Sequence, residues 1–216
     1  MNTIAVIDYG MGNLRSVAKA LEHVAGPDAR VRVTDDPAVV RAADRIVFPG
    51  QGAARDCMLE LGHHHLVELI PELARQKPFL GICMGMQVLM DFSEENGGTA
   101  CLGVFPGTVR YFGDPLLDPA SGERLKIPHM GWNQVHQERP HPLWVDIPQD
   151  SRFYFVHSYY VDPEDPTLAA GTSEYGRRFT SVIARDNLFA LQCHPEKSAA
   201  AGLQLLANFT RWDGEA

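Results

Sequence analysis

The chain has 216 residues, 45% hydrophobic and 21% charged, with 19 Lys and Arg against 27 Asp and Glu for a net charge of −8. That is a globular mixture with apolar mass for one core, so a single domain over residues 1–216 is expected, and its acidic balance argues against nucleic acid or an anionic membrane surface as main partner. No apolar run approaches the ~20 residues of a membrane span, the start lacks the basic region of a signal peptide, and four cysteines (Cys57, Cys83, Cys101, Cys193) do not make a disulfide scaffold at this length, which together predict a reduced, cytoplasmic protein.

In chain order, residues 4–7 form a short apolar run that ends at Asp8 and a Gly-rich turn. Asn13 can cap the helix that follows, where Leu14, Val17, Ala18, Leu21 and Val24 recur at helical spacing. Residues 31–33 and 45–48 read as strands, the latter stopped by Pro49-Gly50-Gln51-Gly52. A helical stretch over 53–76 follows, broken near Gly62 and by Pro71. Residues 78–82 are a fourth strand and 84–92 a helix. This alternation predicts βαβ units in an open, mixed, mostly parallel sheet flanked by helices, an α/β fold. The second half differs. Residues 107–112, 132–136, 152–161, 179–184 and 188–192 are short β-rich runs that read as antiparallel, 114–122 as an exposed loop, and 198–212 as a closing helix.

The sharpest local signal is Gly81-Ile82-Cys83-Met84-Gly85. It follows an apolar strand and opens a helix, the context of a nucleophile elbow with Cys in place of Ser. The glycines leave room for a tight turn, a helix N-terminus favours the thiolate, and the Met84 amide would face an oxyanion on the substrate. A buried core cysteine between packing glycines is the other reading. A base is supplied by Gln192-Cys193-His194-Pro195-Glu196. Pro195 pushes His194 into an extended conformation, where residues i and i+2 project to one side, so Glu196 can fix the imidazole. Nucleophile, base and orienter would then be Cys83, His194 and Glu196; a solvated turn is the bland alternative. Pro49-Gly50-Gln51-Gly52 fits the second half of an oxyanion hole, and equally an ordinary turn.

Other signals are discounted. Gly10-Met11-Gly12, with Asp35 and Asp36 after the next strand, imitates a dinucleotide fingerprint, but Arg15 occupies the third glycine position. His63, His64 and His65 on a helix point ~100° apart and cannot converge on one ion. No metal and no cofactor is expected. Cys57 and Cys101 read as inert fillers, and strand alternation turns Cys193 away from the face of His194.

Taken together, Pro49-Gly50-Gln51-Gly52, Gly81-Ile82-Cys83-Met84-Gly85-Met86-Gln87 and His194-Pro195-Glu196, in this order, resemble the class I, triad-type glutamine amidotransferases. More narrowly, Asp8-Tyr9-Gly10-Met11-Gly12-Asn13, Pro128-His129-Met130-Gly131-Trp132-Asn133, Phe153-Tyr154-Phe155-Val156-His157-Ser158-Tyr159 and His194-Pro195-Glu196-Lys197-Ser198 are similar to the glutaminase subunits of imidazole glycerol phosphate synthase. The resemblance runs from residue 4 to about 209. Gln51 stands where other members often carry an aliphatic residue, and the 114–122 loop looks longer than usual.

The resemblance implies that Cys83 attacks the side-chain amide of glutamine, with His194 and Glu196 completing the triad. Gly50, Gln51, Gly52, Met84, Gln87, Ser158 and Tyr159 would hold substrate and oxyanion. Asn13, Trp132, Tyr154 and Lys197 would face a (β/α)8-barrel cyclase subunit in a heterodimer, although Trp132 could simply pack and Lys197 simply be solvated. That partner would use the ammonia to form imidazole glycerol phosphate and aminoimidazole carboxamide ribotide in histidine biosynthesis. The rival readings are the glutaminase of another ammonia-using synthase, a peptidase-like cysteine hydrolase, and a catalytically silent regulatory subunit.

Overall fold

The computed structural model describes residues 2–27, 29–113 and 115–215. Asp114, the first residue of the expected loop, lies outside them. The first half runs β1 (Asn2–Ile7), α1 (Leu14–Ala25), β2 (Ala29–Thr34), α2 (Pro37–Ala42), β3 (Arg45–Gly50), α3 (Ala54–His63), α4 (Leu69–Ala74), β4 (Phe79–Cys83), α5 (Met84–Gln87), β5 (Met90–Ser93), β6 (Thr99–Ala100) and β7 (Phe105–Tyr111). The second half runs β8 (His129–Gln134), β9 (His136–Gln137), β10 (Arg152–His157), β11 (Tyr159–Pro163), β12 (Ala169–Glu174), β13 (Arg178–Arg185), β14 (Leu188–Leu191) and α6 (Ala199–Arg211).

Five strands in the order β2-β1-β3-β4-β14 are all parallel, and the sheet continues through β13, β11, β7, β5 and β6. Beyond β14 the pairings are antiparallel except for β5 with β7. The apolar strands are buried on both faces, as a helix-covered parallel sheet requires. Alternation along β1 shows the two layers: Ile4 and Val6 pack in one core with Val17 and Leu21 of α1 and Leu205, Leu206 and Phe209 of α6. Ala5 and Ile7 pack in the other with Leu61 of α3 and Ile70 and Leu73 of α4. β8 and β10 form a separate antiparallel ribbon.

Several expected elements are redrawn. The 53–76 stretch is two helices: α3 ends at His63, the chain turns through His64 and His65 (φ 58°), and Pro71 lies inside the first turn of α4, where a missing N–H costs nothing. The helix expected over 84–92 is one turn; its end instead forms β5, because Met90 pairs with Phe105 of β7. A short apolar run does not declare its period, and tertiary pairing decided it. The 152–161 run is two strands split at Ser158, β10 in the ribbon and β11 in the main sheet. Asn13 sits at the N-cap of α1 but makes no side-chain cap; its carbonyl accepts from the Ser16 and Val17 amides. Among the unexpected elements are α2, which Asp36 caps by accepting from the Ala38 amide at 2.8 Å, and β12, whose Ala- and Gly-rich start carries little strand propensity.

Candidate active site

The C-terminal ends of β3, β4 and β14 gather at one sheet edge, where ligands bind in open α/β sheets. Cys83 ends β4 with φ 57° and ψ −113°, a conformation rare for a residue with a side chain. Both glycines of the elbow are sterically required. A Cβ on Gly81 would lie 2.8 Å from Ala190 Cβ, and one on Gly85 would lie 1.9 Å from the Phe48 carbonyl oxygen. Cys83 thus sits on a strained elbow, with its side chain buried. Its helix, α5, is a single turn and sums few peptide dipoles. The donor to its sulfur comes instead from a side chain: Gln192 Nε2 donates to Cys83 Sγ at 3.7 Å.

His194 follows β14 with the extended φ −104° and ψ 97° that Pro195 favours. Its Nδ1–H donates to Glu196 Oε1 at 2.9 Å, with both side chains almost fully buried. The pairing was expected from extended chain; it arises because residues Pro195–Lys197 fold into a 3-10 turn. Nε2 is buried with no nitrogen or oxygen partner, and the Cys83 sulfur is the group that acts on it. Burial works to lower the His194 pKa, but hydrogen bonds and opposite charge from Cys83 and Glu196 outweigh it and raise it to about 10.

The His194 backbone is clamped as well. Its amide donates to the Tyr154 carbonyl at 2.9 Å. Its carbonyl accepts from Ser198 Oγ at 2.6 Å, and that same Oγ accepts from the Tyr154 amide at 2.9 Å. Gly202 lets α6 approach, since a Cβ there would lie 2.0 Å from the Pro195 carbonyl oxygen.

Above Cys83 lies a cleft of about 480 Å³, lined among others by Gln51, Gly52, Met84, Gln87, Ser158, Tyr159 and His194, a size usual for small-molecule sites. Gly50 does not line it. Gly50 is buried beneath, where a Cβ would sit 2.4 Å from the Tyr9 hydroxyl, and that hydroxyl donates to the Pro49 carbonyl at 3.0 Å. Gln87 Nε2 donates to Gln192 Oε1 at 2.9 Å and to the Tyr159 carbonyl at 3.2 Å, leaving its own Oε1 buried without a partner.

The chain as a whole has relatives among known proteins. The family model for glutamine amidotransferase class-I matches residues 5–211. The imidazole glycerol phosphate synthase subunit HisH of Aromatoleum aromaticum is 60% identical, over 98% of this chain and 99% of that protein. The HisH subunit of Methylococcus capsulatus is 58% identical over 99% and 98%. Among solved structures, a glutamine amidotransferase from Thermotoga maritima superposes with a TM-score of 0.63 at 17% identity, covering 90% of this chain and 76% of that one. The chain belongs to the class I glutamine amidotransferases.

In this amidotransferase three of the residues expected at a partner surface, Trp132, Tyr154 and Lys197, form a cluster. Trp132 and Tyr154 face each other across the β8–β10 ribbon with ring centroids 6.2 Å apart, and Lys197 Nζ lies 5.9 Å above the Tyr154 ring. Met130 and Trp132 are exposed on that ribbon. Asn13 is at the N-cap of α1, and α1 packs against the 195–197 turn that carries Lys197.

Sequence reasoning missed Gln192, Ser198, Tyr9, Glu95 and His157. Glu95 lines the cleft and accepts from the Ala54 amide at 2.7 Å. His157 Nδ1 donates to the Tyr159 carbonyl at 2.8 Å, so its neutral Nε2 accepts from His129 Nδ1 at 2.9 Å. Burial lowers the His157 pKa to about 3 and the His129 pKa to about 4. Gln192, Ser198, Tyr9 and His157 lay inside segments already singled out but had no role assigned to them, and Glu95 lay outside every such segment.

The remaining cysteines have thiols raised by burial, Cys57 to about 12, Cys101 to about 11 and Cys193 well above the usual range. Among the described residues no group of three or more His, Cys, Asp or Glu side chains is arranged for a metal, and no helix is long and apolar enough to cross a membrane.

Proposed function

We propose that this chain is the glutaminase subunit of an imidazole glycerol phosphate synthase, hydrolysing glutamine at Cys83 and passing ammonia to a (β/α)8-barrel cyclase subunit. The observation that carries the chemistry is the strained Cys83 elbow facing a His194 whose other nitrogen is held 2.9 Å from Glu196. The specific synthase is supported by the near full-length HisH relatives.

With its pKa raised to about 10, His194 is protonated at neutral pH, and the thiolate of Cys83 is the form that reacts. The thiolate attacks the side-chain amide carbon of glutamine. The Met84 amide and the Gln51–Gly52 backbone, which line the cleft, stabilise the oxyanion, one such donor being worth about 3–4 kcal/mol. Gln87, with its unpartnered Oε1, and Ser158 and Tyr159 position the substrate, and the Glu95 carboxylate offers a partner to its α-ammonium. His194 gives its proton to the leaving nitrogen, ammonia departs, and a glutamyl thioester remains.

Acylation removes the charge on sulfur, so the main lift on the His194 pKa disappears with it. The neutral imidazole then takes a proton from water, which attacks the thioester, releases glutamate and restores the ion pair. Glu196 holds the ring throughout. Ammonia released into water would be protonated, so the activity is useful only when docked. Asn13, Trp132, Tyr154 and Lys197 form the docking surface, and Tyr154 links it to the His194 backbone.

The test is glutamate production by this chain alone, with the barrel subunit, and with the barrel subunit plus its ribotide ligand. Weak activity alone and strong stimulation by the liganded barrel, abolished by Cys83→Ala, is the expected pattern. Hydrolysis that survives Cys83→Ala contradicts the mechanism, and full activity of the isolated chain contradicts the coupling.

A further inference from the structure

Gln192 is fully buried, one residue beyond β14, and does not line the cleft that would hold substrate. Its amide is nevertheless part of a hydrogen-bond chain whose polarity is fixed from one end. The Tyr159 carbonyl can only accept, so the Gln87 group 3.2 Å from it is the NH2. That same NH2 donates to Gln192 at 2.9 Å, so the Gln192 atom facing it is the oxygen. The Gln192 NH2 is thereby turned to Cys83 Sγ, at 3.7 Å. A buried amide with its acceptor end occupied and its donor end on a sulfur is built to stabilise negative charge there.

We propose that Gln192 is a positioning residue for Cys83, donating through Nε2–H to the reacting sulfur so that the thiolate is held by two donors, the His194 imidazolium and the Gln192 amide. The proposal rests on the reading of Cys83 as the nucleophile. It assigns to Gln87 a second task, since the amide that lines the cleft also orients Gln192. The sulfur then does not depend on the short α5 turn for its stabilisation, and it is kept in place while His194 exchanges its proton with the leaving group and water.

The other titratable groups around the sulfur are Tyr9, Cys57 and Cys193, each raised by burial and uncharged at neutral pH, with Glu196 behind His194, and Glu95, Lys197, Tyr159 (raised by burial) and His157 (lowered by burial to about 3) in the cleft. None of them replaces a lost amide donor.

The experiment is the pH profile of Cys83 alkylation by iodoacetamide, followed on the Cys83 peptide by mass spectrometry, in wild type and in Gln192→Met and Gln192→Leu. These variants keep apolar bulk but carry no donor. The midpoint should move up by about one pH unit, so that reactivity below it falls about tenfold. A substitution that merely loosened packing would change amplitude and melting temperature without moving the midpoint, and a midpoint equal to that of wild type overturns the proposal. If neither variant folds, the side-chain ¹⁵N–¹H resonances of Gln192 in the unmutated site serve instead. They should shift upfield on Cys83→Ala, and resonances that stay in place overturn the proposal. Glutamine hydrolysis by the same wild-type preparation with the barrel subunit is measured alongside. Its absence would refute the glutaminase reading, whereas active wild type with unmoved midpoints refutes only the role of Gln192.

Discussion

At Cys83 the backbone occupies a region that side chains rarely visit, and three glycines make it tolerable by removing atoms from its surroundings. Gly85 is the strictest of them, because a methyl group there would overlap the Phe48 carbonyl oxygen at 1.9 Å. Gly85→Ala should therefore destabilise the fold by about 1–3 kcal/mol or more, read as a lower urea midpoint, and take the activity with it. Glu196→Gln keeps the shape but loses the charge that fixes the His194 tautomer. It should lower kcat by roughly 10²–10⁴ with little change in KM, in steady-state glutaminase assays with the partner. The elbow and its base were legible in the sequence because each lies in a contiguous segment whose small or rigid residues have a steric reason to be there. Gln192, Glu95 and Tyr9 were not. Their roles depend on which strands become neighbours, and a lone Gln, Glu or Tyr carries no local mark of that.

Among the elements, the β8–β10 ribbon and the 195–197 turn act as one assembly. Tyr154 presents its ring to the exposed face beside Trp132, while its backbone holds His194 directly and through Ser198. Ser198→Ala deletes both bonds of that hydroxyl and leaves the Tyr154 amide without its acceptor, which should cost about 1–3 kcal/mol in chemical denaturation and lower kcat more than it raises KM. Trp132→Ala touches no triad residue. It should weaken binding of the barrel subunit by about 2 kcal/mol in titration calorimetry, the scale of a buried aromatic anchor, while leaving the unstimulated activity of the isolated chain unchanged. Elements were legible where burial was two-sided and continuous, as in β1, β3, β4 and β14. They were misread where identity came from pairing: 84–92 looked helical until β7 claimed its end, and 152–161 looked like one strand until Ser158 divided it between two sheets.

For the whole molecule, the decisive electrostatic feature is a set of histidines folded in the neutral state. Burial lowers the pKa values of His129 and His141 to about 4 and that of His157 to about 3, from an ordinary value of 6.5. Below pH 6.5 the unfolded chain binds protons at these sites and the folded chain does not, so stability is complete above 6.5 and falls as pH drops toward 4, by up to about 1.4 kcal/mol per pH unit per histidine. His194 has the opposite sign. Its raised pKa contributes stability that is full below 6.5 and is lost as pH rises through about 10. Melting temperatures between pH 7.5 and 4.5 should decline, and His141→Asn, which retains an acceptor for the Leu143 amide, should make that decline shallower. The net charge of −8 contributes nothing specific to this pattern; the buried groups set it.

In the proposed mechanism glutamine passes through a thioester on Cys83. Radiolabelled glutamine turned over with the liganded barrel subunit, then quenched in acid, should leave label on the peptide that contains Cys83, and hydroxylamine should release it. Turnover with no label on that peptide, or with label on another residue, would show that Cys83 is not the nucleophile.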